Sequence, residues 1–217
     1  MTSFETITLQ SIEICCLPEL DGGGSTFGVD YIHFFEAHNI KVNRVFEWCC
    51  GPAYIGFTLL NYGLCNSLCL ADINPIAVEA CQETIRRNGI ENKVSVYLSD
   101  NLEHIPLCET WDLVVGNPPH CGINRWDEHK GSSLIWNDNE WAIHDKFYSN
   151  ISKFLKPGGM ILIQENNKVS SIGNFRKMIE KGGLKLVEWT YQSSIYPDIY
   201  YVWSWKPKYY LWSWETA

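Results

Sequence analysis

Apolar positions fall into short runs that alternate with longer amphipathic stretches. Residues 43–49 (NRVFEWC) predict a buried strand and 54–62 a short helix. A second strand is predicted over 67–71. After Asp72 comes a helix over 75–88, with Ile76, Val78, Ala80 and Ile85 at its apolar positions. Pro75 suits its first turn and Gly89 its end. Residues 93–98 and 111–116 read as the third and fourth strands. A helix over 138–155 ends at Lys156-Pro157-Gly158-Gly159; a fifth strand over 160–165 and a helix over 170–181 follow. Gly182-Gly183 stops that helix, and 184–190 and 199–205 read as a closing antiparallel pair. Upstream, a turn from Asp21 to Gly28 leads to a helix over 29–38. Short apolar strands alternating with helices imply an α/β fold whose parallel sheet is covered on both faces. Ligands of such sheets bind beyond the carboxyl ends of the strands.

Composition narrows the class. The chain has 217 residues, 46% of them hydrophobic, and no linker-like break, so one domain is expected over 1–217. Residues 1–42 are expected to form its N-terminal lid and helix segment. No run of about 18 apolar residues suggests a membrane span. The start, Met1-Thr2-Ser3-Phe4-Glu5, has no secretory character. The nine cysteines include no CxxC and no zinc spacing, which predicts reduced thiols, a cytoplasmic protein and no metal. A formal charge of −8 with scattered basic residues disfavours nucleic acid and suits a small or cationic substrate.

Polar residues cluster just after the strands. Glu47 to Gly56 form a tight strand–helix turn that can present backbone N–H groups to an anion. It lacks GxGxxG, and Glu47 would repel a pyrophosphate; a zwitterionic amino acid bearing a sulfonium suits it better. A structural turn around a buried acid is the alternative. Asp72 can accept ribose hydroxyls or cap the next helix, and Ile73 can pack on an adenine face. In Ser99-Asp100-Asn101 a carboxylate or amide can meet an exocyclic amine, or simply make a turn. Asn117-Pro118-Pro119-His120 follows the fourth strand. Two prolines fix φ and supply no N–H, so a rigid segment offers acceptors to one substrate N–H2 group.

These motifs resemble the class I S-adenosylmethionine-dependent methyltransferases, in the subset with an Asn/Asp-Pro-Pro-aromatic motif that modifies nitrogen. The resemblance covers roughly residues 43–190. It implies a Rossmann-like three-layer sandwich whose seven-stranded sheet has the order 3-2-1-4-5-7-6, with strand 7 antiparallel. It further implies that Glu47, Cys49 and Gly51 hold the methionine part of S-adenosylmethionine. Asp72 would take the ribose, Ile73, Asp100 and Asn101 the adenine, and Asn117 with the Pro118 carbonyl the target nitrogen. The family's loop has glycines where this chain has Cys49 and Ala53, and His120 stands where Tyr or Phe is usual. His120 is expected either as a general base or as a shape-setting ring. Thr26, Phe27 and Tyr31 are expected in a lid over the cofactor, or in the core. The stretch 121–141, with Arg125, Trp126, Asp127, His129, Trp136, Asn137 and Trp141, is expected to shape the acceptor pocket or to give plain hydrophobic cover. The Trp-rich end, 203–214, is read as the last strand plus a packed tail or homodimer contact.

The reaction implied is N-methyl transfer to an amine of a small molecule or peptide. One alternative consumes the same cofactor by cyclisation or aminocarboxypropyl transfer, as azetidine-2-carboxylate synthases do, releasing methylthioadenosine. A cofactor-binding regulator without catalysis is the other.

Overall fold

The computed structural model describes residues 2–20, 25–122, 133–187 and 191–208. A hairpin, β1 (Glu5–Leu9) and β2 (Ile12–Cys16), precedes α1 (Phe27–Ala37). Then come β3 (Arg44–Trp48), α2 (Tyr54–Asn61), β4 (Ser67–Asp72), α3 (Pro75–Asn88), β5 (Val94–Leu98) and β6 (Trp111–Gly116). The second half holds α4 (Ser133–Trp136), α5 (Ala142–Ile151), β7 (Leu155–Asn166), α6 (Ile172–Lys181), β8 (Lys185–Leu186), β9 (Tyr191–Gln192) and β10 (Ile199–Trp205).

The main sheet runs β5-β4-β3-β6-β7-β10-β8, with β9 also paired to β10. The pairs from β5 through β7 are parallel, and β10 is antiparallel to its neighbours. The order is therefore 3-2-1-4-5-7-6, with β8 and β9 sharing the sixth position. The sequence predicted one strand there. The register shows why it is split: Leu186 faces Ser204, but Tyr191 faces Tyr201, so this side carries more residues than β10.

The strands are apolar because both faces are covered. Alternate residues enter different cores. Val45, Leu68, Leu113 and Val115 join α1, α2 and the hairpin, whereas Phe46, Trp48, Cys69 and Val114 join α5 and α6. Asn74, not Asp72, caps α3: its side chain accepts the Ile76 N–H at 3.0 Å. Two expectations change. Leu155 belongs to a strand, pairing with Trp111, so α5 is shorter than the predicted helix. The hairpin was also not predicted. It lies against α3, where the Cys15 N–H donates to Thr84 Oγ1 at 2.9 Å and Asn88 bonds both backbone groups of Glu13.

Candidate active site

The turn after β3 is built on left-handed backbone. Cys49 (φ 52°), Gly51 (φ 50°) and Ala53 (φ 60°) alternate there, so two non-glycine residues occupy the conformation that glycine favours. The turn delivers α2, whose first backbone N–H groups meet Glu47. Glu47 is buried, and its Oε2 accepts the Gly56 N–H at 2.6 Å. A Cβ at Gly56 would lie 2.6 Å from that oxygen, so the contact requires glycine. Burial outweighs the hydrogen bonds and pushes the Glu47 carboxyl up to about 8.

Asp72 ties this turn to the end of β4. Its Oδ2 accepts the Gly51 N–H at 2.8 Å and its Oδ1 the Asn74 N–H at 2.9 Å. Burial raises its pKa against those bonds. Ile73 beside it is 48% exposed, an apolar side chain left on the rim. Past β5, Asp100 pairs with Lys146 at 2.9 Å. Asn101 has φ 58° and donates to the Ile143 carbonyl, while its Oδ1 is buried without a partner.

These residues converge on one cavity of ≈ 230 Å³ at the carboxyl edge of the sheet. Glu47, Cys49, Gly51, Asp72 and Ile73 line one side, and Asp100, Asn101, Asn117 and Pro119 line another. Phe27 closes it from α1. Leu20, Trp48, Cys50, Tyr54, Ile135 and Ile143, which no sequence motif marks, are also in the wall. Their apolar character follows from core packing, and nothing in the local pattern distinguishes them from other core residues. The donor set fits an adenosyl amino acid. A carboxylate suits the ribose diol, an exposed Ile suits an aromatic face, and unpartnered amide oxygens suit N–H2 groups.

Asn117 leaves β6 directly after Gly116. A Cβ at Gly116 would lie 2.6 Å from the Trp48 carbonyl oxygen, so β3 and β6 approach closely where the clamp begins. Of the two places expected for Tyr31, the lid and the core, it takes the core. Its hydroxyl accepts the Gly116 N–H at 3.2 Å and donates to the Leu162 carbonyl at 2.8 Å. It thus fixes the root of the clamp and does not line the cavity. Asn117 Oδ1 is buried and has no hydrogen-bond partner.

Behind the clamp lies a charged cluster that the sequence did not predict. His144 is fully buried; its Nδ1–H donates to Asp138 Oδ2 at 2.5 Å and its Nε2–H to Glu165 Oε1 at 2.8 Å. Burial alone would lower its pKa, but the two carboxylates raise it to about 9. The pairing works in reverse on Glu165: burial would raise its pKa, yet His144 and His120 hold it below the ordinary value. His120 reaches the same carboxylate, Nδ1 to Oε2 at 3.4 Å, and Ser170 Oγ donates to it at 3.3 Å.

The other expected residues scatter. Thr26 is outside the cavity wall; its hydroxyl hydrogen-bonds the Tyr196 hydroxyl, and Tyr196 packs on Phe27 at 4.9 Å. Trp136 is not in the wall, and its carbonyl accepts the Cys121 N–H. Trp141 packs edge-on to Phe175 and His144, so it covers the charged cluster rather than lining the cavity. Arg125, Trp126, Asp127 and His129 lie outside the described residues. No described helix is long and apolar enough to cross a membrane.

A doubly wound sheet with this cavity over its strand ends, and Asn-Pro-Pro after the fourth strand, defines an S-adenosylmethionine-dependent methyltransferase. The chain belongs to the methyltransferase small domain family, whose pattern matches residues 31–182. S-adenosylmethionine is the cofactor of this class. The release factor glutamine methyltransferase of Clostridium acetobutylicum is 27% identical over 154 residues, covering 65% of this chain and 53% of that protein. The ribosomal RNA small subunit methyltransferase C of Actinobacillus pleuropneumoniae serotype 3 is 31% identical over 128 residues, 56% of this chain and 36% of that one. The chain therefore spans between a third and about half of these relatives. Among solved structures, the T. thermophilus 16S rRNA N2 G1207 methyltransferase, in complex with S-adenosylmethionine and guanosine, superposes with a TM-score of 0.62. It is 14% identical and covers 94% of this chain and 50% of that one, a likeness of fold.

Proposed function

We propose that this chain transfers a methyl group to a nitrogen that carries N–H2, on a peptide or small molecule. The observation that carries the reading is the buried, unpartnered Oδ1 of Asn117 at the cavity edge. A buried acceptor without a donor costs about 1–3 kcal/mol, and a substrate N–H would satisfy it. Glu47, Cys49 and Gly51 would hold the methionine part, Asp72 the ribose, and Ile73 and Asp100 the adenine.

The cofactor supplies an electrophilic methyl group on a sulfonium whose leaving form is a neutral thioether. The protein's contribution is then positioning and exclusion of water. Asn117 and the Pro118 carbonyl take the two substrate N–H bonds, which turns the nitrogen lone pair toward the methyl. The relatives' names add a glutamine amide and an rRNA base amine to the nitrogens worth testing, and both present a planar N–H2 group.

Purified protein with S-adenosylmethionine should be incubated with a blocked glutamine peptide, guanosine or simple amines, and the products weighed by mass spectrometry. S-adenosylhomocysteine and an acceptor heavier by one methyl are expected. Asn117→Ala should abolish turnover while keeping cofactor binding. Normal turnover by that variant would overturn the assignment. Methylthioadenosine formed without any acceptor would replace it by cyclisation.

A further inference from the structure

We infer that Asp138, His144 and Glu165 form a buried relay that sets His120 as the proton acceptor for the nitrogen held by Asn117. The inference rests on the methyl-transfer reading and goes past it. An amide or base amine that gains a methyl becomes cationic and must lose a proton, and Asn117 and the prolines offer no base.

The relay assigns protons by geometry. Both nitrogens of His144 face carboxylates, at 2.5 and 2.8 Å, so both carry hydrogen and the ring is a cation. Asp138 is itself pinned, accepting the backbone N–H groups of Ile143 and His144 at 2.7 and 3.1 Å. The cation keeps Glu165 ionised, and an ionised carboxylate can only accept. His120 Nδ1, facing it at 3.4 Å, must therefore be the donor, and whenever that ring is neutral its lone pair lies on Nε2. Ser170 also donates to Glu165, and the Tyr148 and Tyr200 rings complete the cluster's surroundings. Trp48, Trp141 and Phe175 pack on His144 and keep its charge from water.

Gly116, the last residue of β6, pairs with Ile163 in parallel register, two residues before Glu165 on β7. His120 and Pro118 are not in the cavity wall itself; His120 sits three residues beyond Asn117, next to wall residue Pro119, and its side chain keeps 10% exposure. The step balances. The nitrogen lone pair forms the N–C bond as the C–S bond breaks with its electrons on sulfur; the N–H proton then passes to His120 Nε2 and on to solvent. His120 is the catalytic group, and Asp138, His144 and Glu165 are positioning residues.

Two measurements test this. Imidazole 15N NMR of the protein without cofactor should show His144 doubly protonated at pH 7 and, in the neutral form of His120, the hydrogen on Nδ1. Glu165→Gln should relax that tautomer preference. A neutral His144, or a His120 hydrogen on Nε2, overturns the relay. In turnover with guanosine or the blocked glutamine peptide, His120→Ala should lower kcat by about 100-fold, with little change in KM and partial recovery on adding imidazole. Glu165→Gln and Asp138→Asn should shift the pH profile of kcat. His120→Phe, which restores a ring without a base, should be as slow as His120→Ala. If it matches the wild type, His120 only sets shape and the inference fails while methyl transfer stands. If wild type methylates none of the acceptors, both readings fall together, whatever the NMR result.

Discussion

Two buried ionisable residues make opposite bargains with their surroundings. Glu47 has only backbone donors, so burial wins and the carboxyl is raised from 4.5 to about 8. Its folded form keeps a proton that the unfolded chain releases. Stability is therefore full below 4.5 and falls as pH rises to about 8, by up to a few kcal/mol at 1.36 kcal/mol per unit. Glu47→Gln should flatten that part of a Tm-against-pH curve. His144 has two carboxylate partners, so its pKa rises from 6.5 to about 9. Its stabilisation is complete below 6.5 and disappears as pH climbs through 9. Alkaline unfolding above pH 8 should thus follow His144, and Asp138→Asn should shift that limb toward lower pH in circular dichroism titrations. The left-handed residues offer a third check. Ala53→Gly relieves about 1–2 kcal/mol of backbone strain against about 0.4–1 kcal/mol of added unfolded-state entropy. Tm should rise by at most a few degrees.

At the scale of elements, β6 decides where the clamp stands. It is held between β3 and β7, and Gly116 lets it approach Trp48 while Tyr31 locks the same peptide from α1. Gly116→Ala should push the strands apart at that point, cost upwards of about 2 kcal/mol, and weaken methyl transfer more than cofactor binding. Urea unfolding and calorimetric titration separate the two effects. Strands and helices from 43 to 116 were largely legible in the sequence, because the apolar period, Pro75 and Gly89 are local signals. The hairpin was less so. Its alternation, Ile7, Leu9, Ile12, Ile14, is present in the sequence, but its partner is α3, far along the chain. The helix ends at Ile151 and not at 155 because pairing of Leu155 with Trp111 overrides local propensity.

For the molecule as a whole, the site is a meeting of loops from four strands and the start of α1. A ligand that binds only the folded arrangement stabilises it by mass action, about 2.7 kcal/mol at one hundred times Kd. S-adenosylmethionine should therefore raise Tm, and Asp72→Ala should remove most of that rise in a thermal-shift titration. The sequence alone determined the class of fold, the cofactor and the strand-end residues, because in a doubly wound sheet position along the chain nearly dictates position at the carboxyl edge. Only the tertiary structure decided that Tyr31 anchors the clamp from the core, that Trp141 covers a buried charge, and that His120 faces Glu165. Those contacts join residues 45 or more positions apart in two cases, Tyr31 with Gly116 and His120 with Glu165. A buried charge takes whichever partner the packed layers bring to it, and no period along the chain records that choice.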